Sequence, residues 1–281
     1  MNRRYTTLLL MLFACVLANA QTKKIGDYIE SYSFNKPSDR GPREVQYMPD
    51  GGDFVCVNGK NRYTRALYGT NTEYRVETSD RPVFALFKAK NYRNVRFYIN
   101  DIPLDSTEYC ESRYGKGRRS YVLKDKRWGE KAELRIECVA MNDAEGAYWY
   151  FDASGFASGD VVLQGKICQT AAKKLSRNGD IGADKPGCFE PSPLEEDLKT
   201  YKLTFKKEAM AISLPYLEKE KGHRLRLLLP TESMLEGYNK AKAYFEDLAN
   251  RVSFNTPDPM LNTLGSTLTL AADGIRQPMA P

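Results

Sequence analysis

Asp180 and Asp184 stand four residues apart in the stretch SRNGDIGADKPGCFEP, residues 176–191, and Glu190 follows them. Two carboxyl groups held at a fixed separation are what glycoside hydrolysis requires, one as acid and one as base or nucleophile. The same groups can instead accept hydrogen bonds from sugar hydroxyls, or join loop carbonyls around Ca²⁺. The spacing is not that of an EF-hand, so no metal site is expected from it. Aspartate beside glycine also bonds the N–H groups of its own turn, and that use is equally open to both residues. Arg177 and Asn178, next to the acids, could reach a sugar hydroxyl or simply lie in solvent. Three glycines (Gly179, Gly182, Gly187) and two prolines (Pro186, Pro191) exclude a regular helix or a central strand here. The stretch reads as a long polar loop, the place where a β scaffold usually carries its binding groups.

Tyr63, Arg65 and Tyr68 form a second candidate group. Aromatic rings and a guanidinium suit stacking and hydroxyl recognition; they also suit a strand edge whose long side chains lie along the surface. The aromatic run 148–151 fits core and rim better than a sugar platform, because strand alternation buries half of it. His223 is the single histidine and has no nucleophile motif beside it, which argues against Ser-His or Cys-His chemistry. Glu195, Glu196 and Asp197 read as a solvated turn face. There is no paired-cysteine zinc pattern, P-loop or dinucleotide fingerprint, and no cofactor is expected.

These groups need a scaffold, and the pattern supplies a mainly β one. Residues 43–48 and 54–57 alternate apolar and polar around Pro49-Asp50-Gly51-Gly52, a hairpin signal. Further strands are expected over 74–78, 83–88, 94–99, 119–123, 132–141, 147–151, 161–167, 201–205, 209–214 and 224–229. Many short strands at roughly ten-residue spacing, with turn residues between, predict an antiparallel β-sandwich or barrel. After Pro230 the period changes. A helix of about twenty residues is expected, capped at Thr231 or Ser233 with Glu236 closing a capping box, and with Leu235, Tyr238, Ala241, Phe245, Leu248 and Val252 on one face. Asp258-Pro259 starts a second helix, with Leu261, Leu264, Leu268, Ala271, Ala272 and Ile275 as its apolar residues. Two such helices look like the start of a helical domain; packing back on the sandwich is the alternative.

The N-terminus reads as an export signal: Arg3 and Arg4, an apolar run over 8–17, then Ala18-Asn19-Ala20. A lipoprotein anchor through Cys15 is the less fitting alternative. The mature chain is expected in the periplasm or outside the cell, without stable membrane insertion. Removing residues 1–20 lowers the formal charge from +6 to +4, with both signs interleaved and no basic block. Nucleic acid is therefore not an expected partner. Export permits disulfides among Cys56, Cys110, Cys138, Cys168 and Cys188, and Cys168 and Cys188 flank the central loop. Cys56, Cys138 and Cys168 also fit as small buried hydrophobes.

The segment NGKNRYTRALYGTNTEYRVETSDRPVFALF, residues 58–87, and the loop SRNGDIGADKPGCF resemble an exported bacterial family, domain of unknown function 4450. Its members look like six-hairpin glycosidases of Gram-negative polysaccharide degraders: a supersandwich-like β-sandwich, a linker helix, then an (α/α)6 barrel. The family loop has Gly-Asp-(Ile/Met)-Gly-Ala-Asp before Pro-Glu. Here Lys185 intervenes before Pro186, and Gly187 stands at the acid's place. The resemblance implies a signal peptide over 1–20, an extended lead-in over 21–42, a sandwich over 43–230, a linker helix over 231–255, and the first helix of a barrel over 256–281. It implies a glycoside-hydrolase-like protein whose partner is a poly- or oligosaccharide, with Arg177, Asn178, Asp180, Asp184, Glu190, Tyr63, Arg65 and Tyr68 as sugar-contacting candidates. Catalytic residues of the barrel type are not expected in this chain, and a non-catalytic carbohydrate-binding or structural module is the alternative.

Overall fold

The computed structural model describes residues 47–61, 63–69, 74–88, 91–156, 161–169, 196–197, 201–203, 207–213, 226–228 and 232–274. The first strands are β1 (Met48–Asp50), β2 (Asp53–Val57), β3 (Tyr63–Tyr68), β4 (Tyr74–Ser79), β5 (Val83–Lys88), β6 (Asn91–Ile99) and β7 (Ile102–Pro103). They are followed by β8 (Tyr109–Gly115), β9 (Arg118–Lys124), β10 (Leu134–Ala140), β11 (Gly146–Asp152) and β12 (Val161–Gln169). The short β13 (Glu196–Asp197), β14 (Tyr201–Leu203), β15 (Lys207–Ser213) and β16 (Arg226–Leu228) complete the strands, and α1 (Glu232–Ala249) and α2 (Pro259–Gly274) close the order.

The strands make two antiparallel sheets. One runs β1-β2-β8-β9-β10-β11-β15-β16; the other runs β13-β12-β6-β5-β4-β3, with β14 also on β12 and β7 on β6. Several hairpins turn on two residues of positive φ, the geometry that matches strand twist. Gly51 and Gly52 (φ 60° and 86°) join β1 to β2, and Lys116 and Gly117 (48° and 74°) join β8 to β9.

Strand alternation decides what fills the space between the sheets. On β11, Ala147, Trp149 and Phe151 are buried; on β10, Leu134, Ile136 and Cys138; on β5, Phe84 and Leu86; on β6, Val95, Phe97 and Ile99. The rings meet edge to face: Phe84 lies 5.4 Å from Trp149 and 5.8 Å from Tyr121, and Phe97 lies 5.3 Å from Phe151, measured between centroids. Cys56, Cys110 and Cys138 are all buried, as small apolar groups would be. Cys168 and Cys188 lie where no side chain is described.

Both helices pack back on the sandwich. α1 lies across β10, β11 and β15, and α2 lies against β1, β3 and β8. Glycines provide the notches. A Cβ on Gly237 would stand 2.4 Å from the Tyr148 hydroxyl, one on Gly117 2.5 Å from Phe245, and one on Gly274 2.4 Å from the Tyr68 ring.

The expected pattern holds for most strands and departs at named places. β1 includes Pro49 and Asp50, so the turn shrinks to the two glycines. β8 is a full strand that no expected segment covered, and β3 is the edge strand that was one of the two readings of Tyr63, Arg65 and Tyr68. The acidic run at Glu196 and Asp197 is not a turn face but a strand paired with β12. α1 begins at Glu232, so Ser233 sits inside its first turn, and Glu236 bonds Lys240 at 2.7 Å instead of closing a box. Val252 lies beyond α1 and is 44% exposed. Asp258 does cap α2: its Oδ1 accepts from the Met260 N–H at 2.9 Å.

Candidate functional site

Part of the 58–87 motif converges at one end of the sandwich. Asp80 follows β4 and is fully buried, which demands a charged partner. Arg119 of β9, in the opposite sheet, supplies it: Nη2 donates to Asp80 Oδ1 at 3.1 Å and to Ser112 Oγ at 3.0 Å. Both side chains are wholly excluded from solvent, and the Arg119 guanidinium stacks 5.6 Å from the centre of the Tyr121 ring. Thr64 Oγ1 donates to the same Asp80 oxygen at 2.8 Å, and the Tyr47 hydroxyl donates to it as well. Burial, followed by the Asp80 charge, pushes the Tyr47 hydroxyl up to about 12. Tyr121 bonds the Ser79 carbonyl at 2.8 Å, so this end joins the two sheets by more than one link.

Beside it lies a second polar group. Asp105, nearly buried, accepts on Oδ2 from Arg96 Nη2 at 2.7 Å and from Asn61 Nδ2 at 2.8 Å. Asp105 Oδ1 and Asn61 Oδ1 are buried and have no hydrogen-bond partner among the described residues. Arg81 holds the surrounding backbone: Nε donates to the Gly59 carbonyl at 2.8 Å and Nη1 to the Thr107 carbonyl at 2.8 Å. The Asn58-Gly59 turn is fixed from the other side, where Asn58 Oδ1 accepts from the Cys110 N–H at 2.9 Å. Burial pushes the Cys110 thiol up to about 12, which leaves it an inert packing group at neutral pH.

A third cluster sits under α1. Tyr238, Lys242 and Glu246 repeat every four residues and so share one face of the helix. Tyr238 and Lys242 both bond Glu137 of β10, Lys242 at 2.8 Å. Arg118 of β9 reaches Glu246 at 2.5 Å, Glu137 at 3.2 Å and Asp53 at 3.9 Å. The Tyr238 ring stacks on Tyr150 at 5.0 Å. Burial raises the Asp53 carboxyl, against the pull of Arg118. A raised acid beside other acidic side chains is a pattern that general acid catalysis uses. Here one guanidinium pairs with Glu246 and Glu137 and lies within ion-pair reach of Asp53, and α1 lies over them, so the arrangement works as a clamp between helix and sheet.

Three of the candidate residues fall on β3. The Tyr63 hydroxyl donates to the Phe84 carbonyl at 3.3 Å. Arg65 lies over the Tyr47 ring at 5.1 Å and the Tyr114 ring at 5.8 Å, and its Nη1 donates to the Thr64 carbonyl at 2.7 Å. Tyr68 packs on Gly274, beside a crevice of ≈ 10 Å³ between β3, α1 and α2 that has room for about one water and no sugar. The strand therefore spreads the three residues over separate structural contacts and does not gather them at one cleft. Asp80, Arg119, Asp105, Glu137 and Arg118 were not candidates from sequence. Partial signals existed, since Asp80 lies in the 58–87 motif and Glu137 faces away from the Leu134, Ile136, Cys138 stripe. Arg177, Asn178, Asp180, Asp184 and Glu190 lie outside the described residues. What is described is the pair of strands on either side of them: β12 and β13 pair, Lys166 with Asp197 and Ile167 with Glu196.

The family model described as domain of unknown function (DUF4450) matches residues 94–243, more than half of the chain. The chain belongs to this family. The DUF4450 match runs from β6 into α1; it includes the 176–191 stretch, and the whole 58–87 motif lies upstream of it. No curated protein and no solved structure matches the chain.

Proposed function

We propose that this DUF4450 chain is the β-sandwich part of an exported glycoside-hydrolase-like protein of polysaccharide degradation, and that residues 176–191 contribute its carbohydrate contacts. The β12–β13 ladder carries this reading. It pins both ends of the segment that holds Asp180, Asp184 and Glu190 to one edge of a sheet, as a binding loop on a rigid scaffold requires. Five of the described acids of the sandwich are engaged elsewhere: Glu77, Asp80, Asp105, Asp125 and Glu137 each bond an arginine. That observation favours, as a second reading, a module that binds sugar without cleaving it.

Affinity electrophoresis of the whole chain through gels of soluble plant and host polysaccharides tests the proposal, with Asp180→Ala and Asp184→Ala run beside it. Retardation by at least one polysaccharide, weakened about tenfold or more in either variant, is the expected result. Retardation that both variants keep in full would remove the loop from the site, and no retardation by any polysaccharide would remove the function. Reducing-end release from the retarding polysaccharide separates the two readings: release supports hydrolysis, and binding without release supports the module.

A further inference from the structure

We draw no further inference here: the strongest candidate, the exposed apolar face that Leu261 and Leu268 present on α2, carries nothing because nothing in the structure shows what covers it.

Discussion

Asp80 and Arg119 are a pair whose value lies in completeness. Each is wholly buried, so removing one strands the other's charge. Asp80→Ala is expected to cost about 3–5 kcal/mol in urea unfolding, and the double change Asp80→Leu with Arg119→Met to recover most of that loss. A single variant as stable as the parent would show that water or another group replaces the partner. Asp125 makes a pH prediction. Bonds from the Arg127 guanidinium hold its carboxyl down to about 2, below the ordinary value of about 3.9. A depressed acid stabilises the fold fully above the unfolded value and loses that contribution as pH falls through the folded one. The stability gap between the parent and Asp125→Asn, measured by denaturant unfolding, should therefore close between pH 5 and pH 2. A gap that stays constant would mean that the Asp125–Arg127 contact adds nothing. At this scale the sequence was least informative. Nothing in the spacing of Asp80 and Arg119, on different sheets, says that they meet, and Tyr63, Arg65 and Tyr68 looked like one group until β3 and its neighbours gave each its own contact.

The elements were more legible, because period-two alternation is a direct consequence of burying one strand face. The expected segment over residues 83–88 matches β5, and the alternation over residues 132–141 gave the buried stripe of β10. β8 escaped because its inward residues are Cys110, Ser112 and Tyr114, two of which carry polar groups. β13 escaped because two acids in a row look like a turn whenever their backbone partner is unseen. α2 shows the opposite failure. From Pro259 to Ala272 it carries no charge, so its pattern cannot choose a face. The structure buries Thr263, Gly265, Leu270 and Gly274 and leaves Leu268 51% exposed. Helix seating makes a prediction of its own. Gly237→Ala would drive a methyl group to 2.4 Å from the Tyr148 hydroxyl, and overpacking of this kind costs about 1–3 kcal/mol. Hydrogen exchange should show α1 opening more readily in this variant while β9 and β10 keep their protection. Unchanged exchange in α1 would mean that Tyr148 moves aside without cost.

On the scale of the whole molecule, an antiparallel sandwich followed by two helices could be expected from strand spacing and the change of period after Pro230; that both helices pack back on the sheets was only the alternative to their opening a helical domain. Family membership extends from β6 into α1. The pairing of β12 with β13 brings the strands on either side of residues 170–195 together at one sheet edge, and the proposed recognition rests on it. The described polar clusters, at the Asp80 end and under α1, hold sheet to sheet and helix to sheet. The described clusters thus do structural work, and the proposed recognition falls to residues 170–195, beside β12. The direct test is hydrogen exchange of the whole chain with and without saturating fragments from plant and host polysaccharides. The account predicts slowed exchange concentrated in residues 170–195, with residues 63–69 unchanged. Protection centred on residues 63–69, or none anywhere at fragment concentrations that saturate known sugar-binding modules, would contradict it.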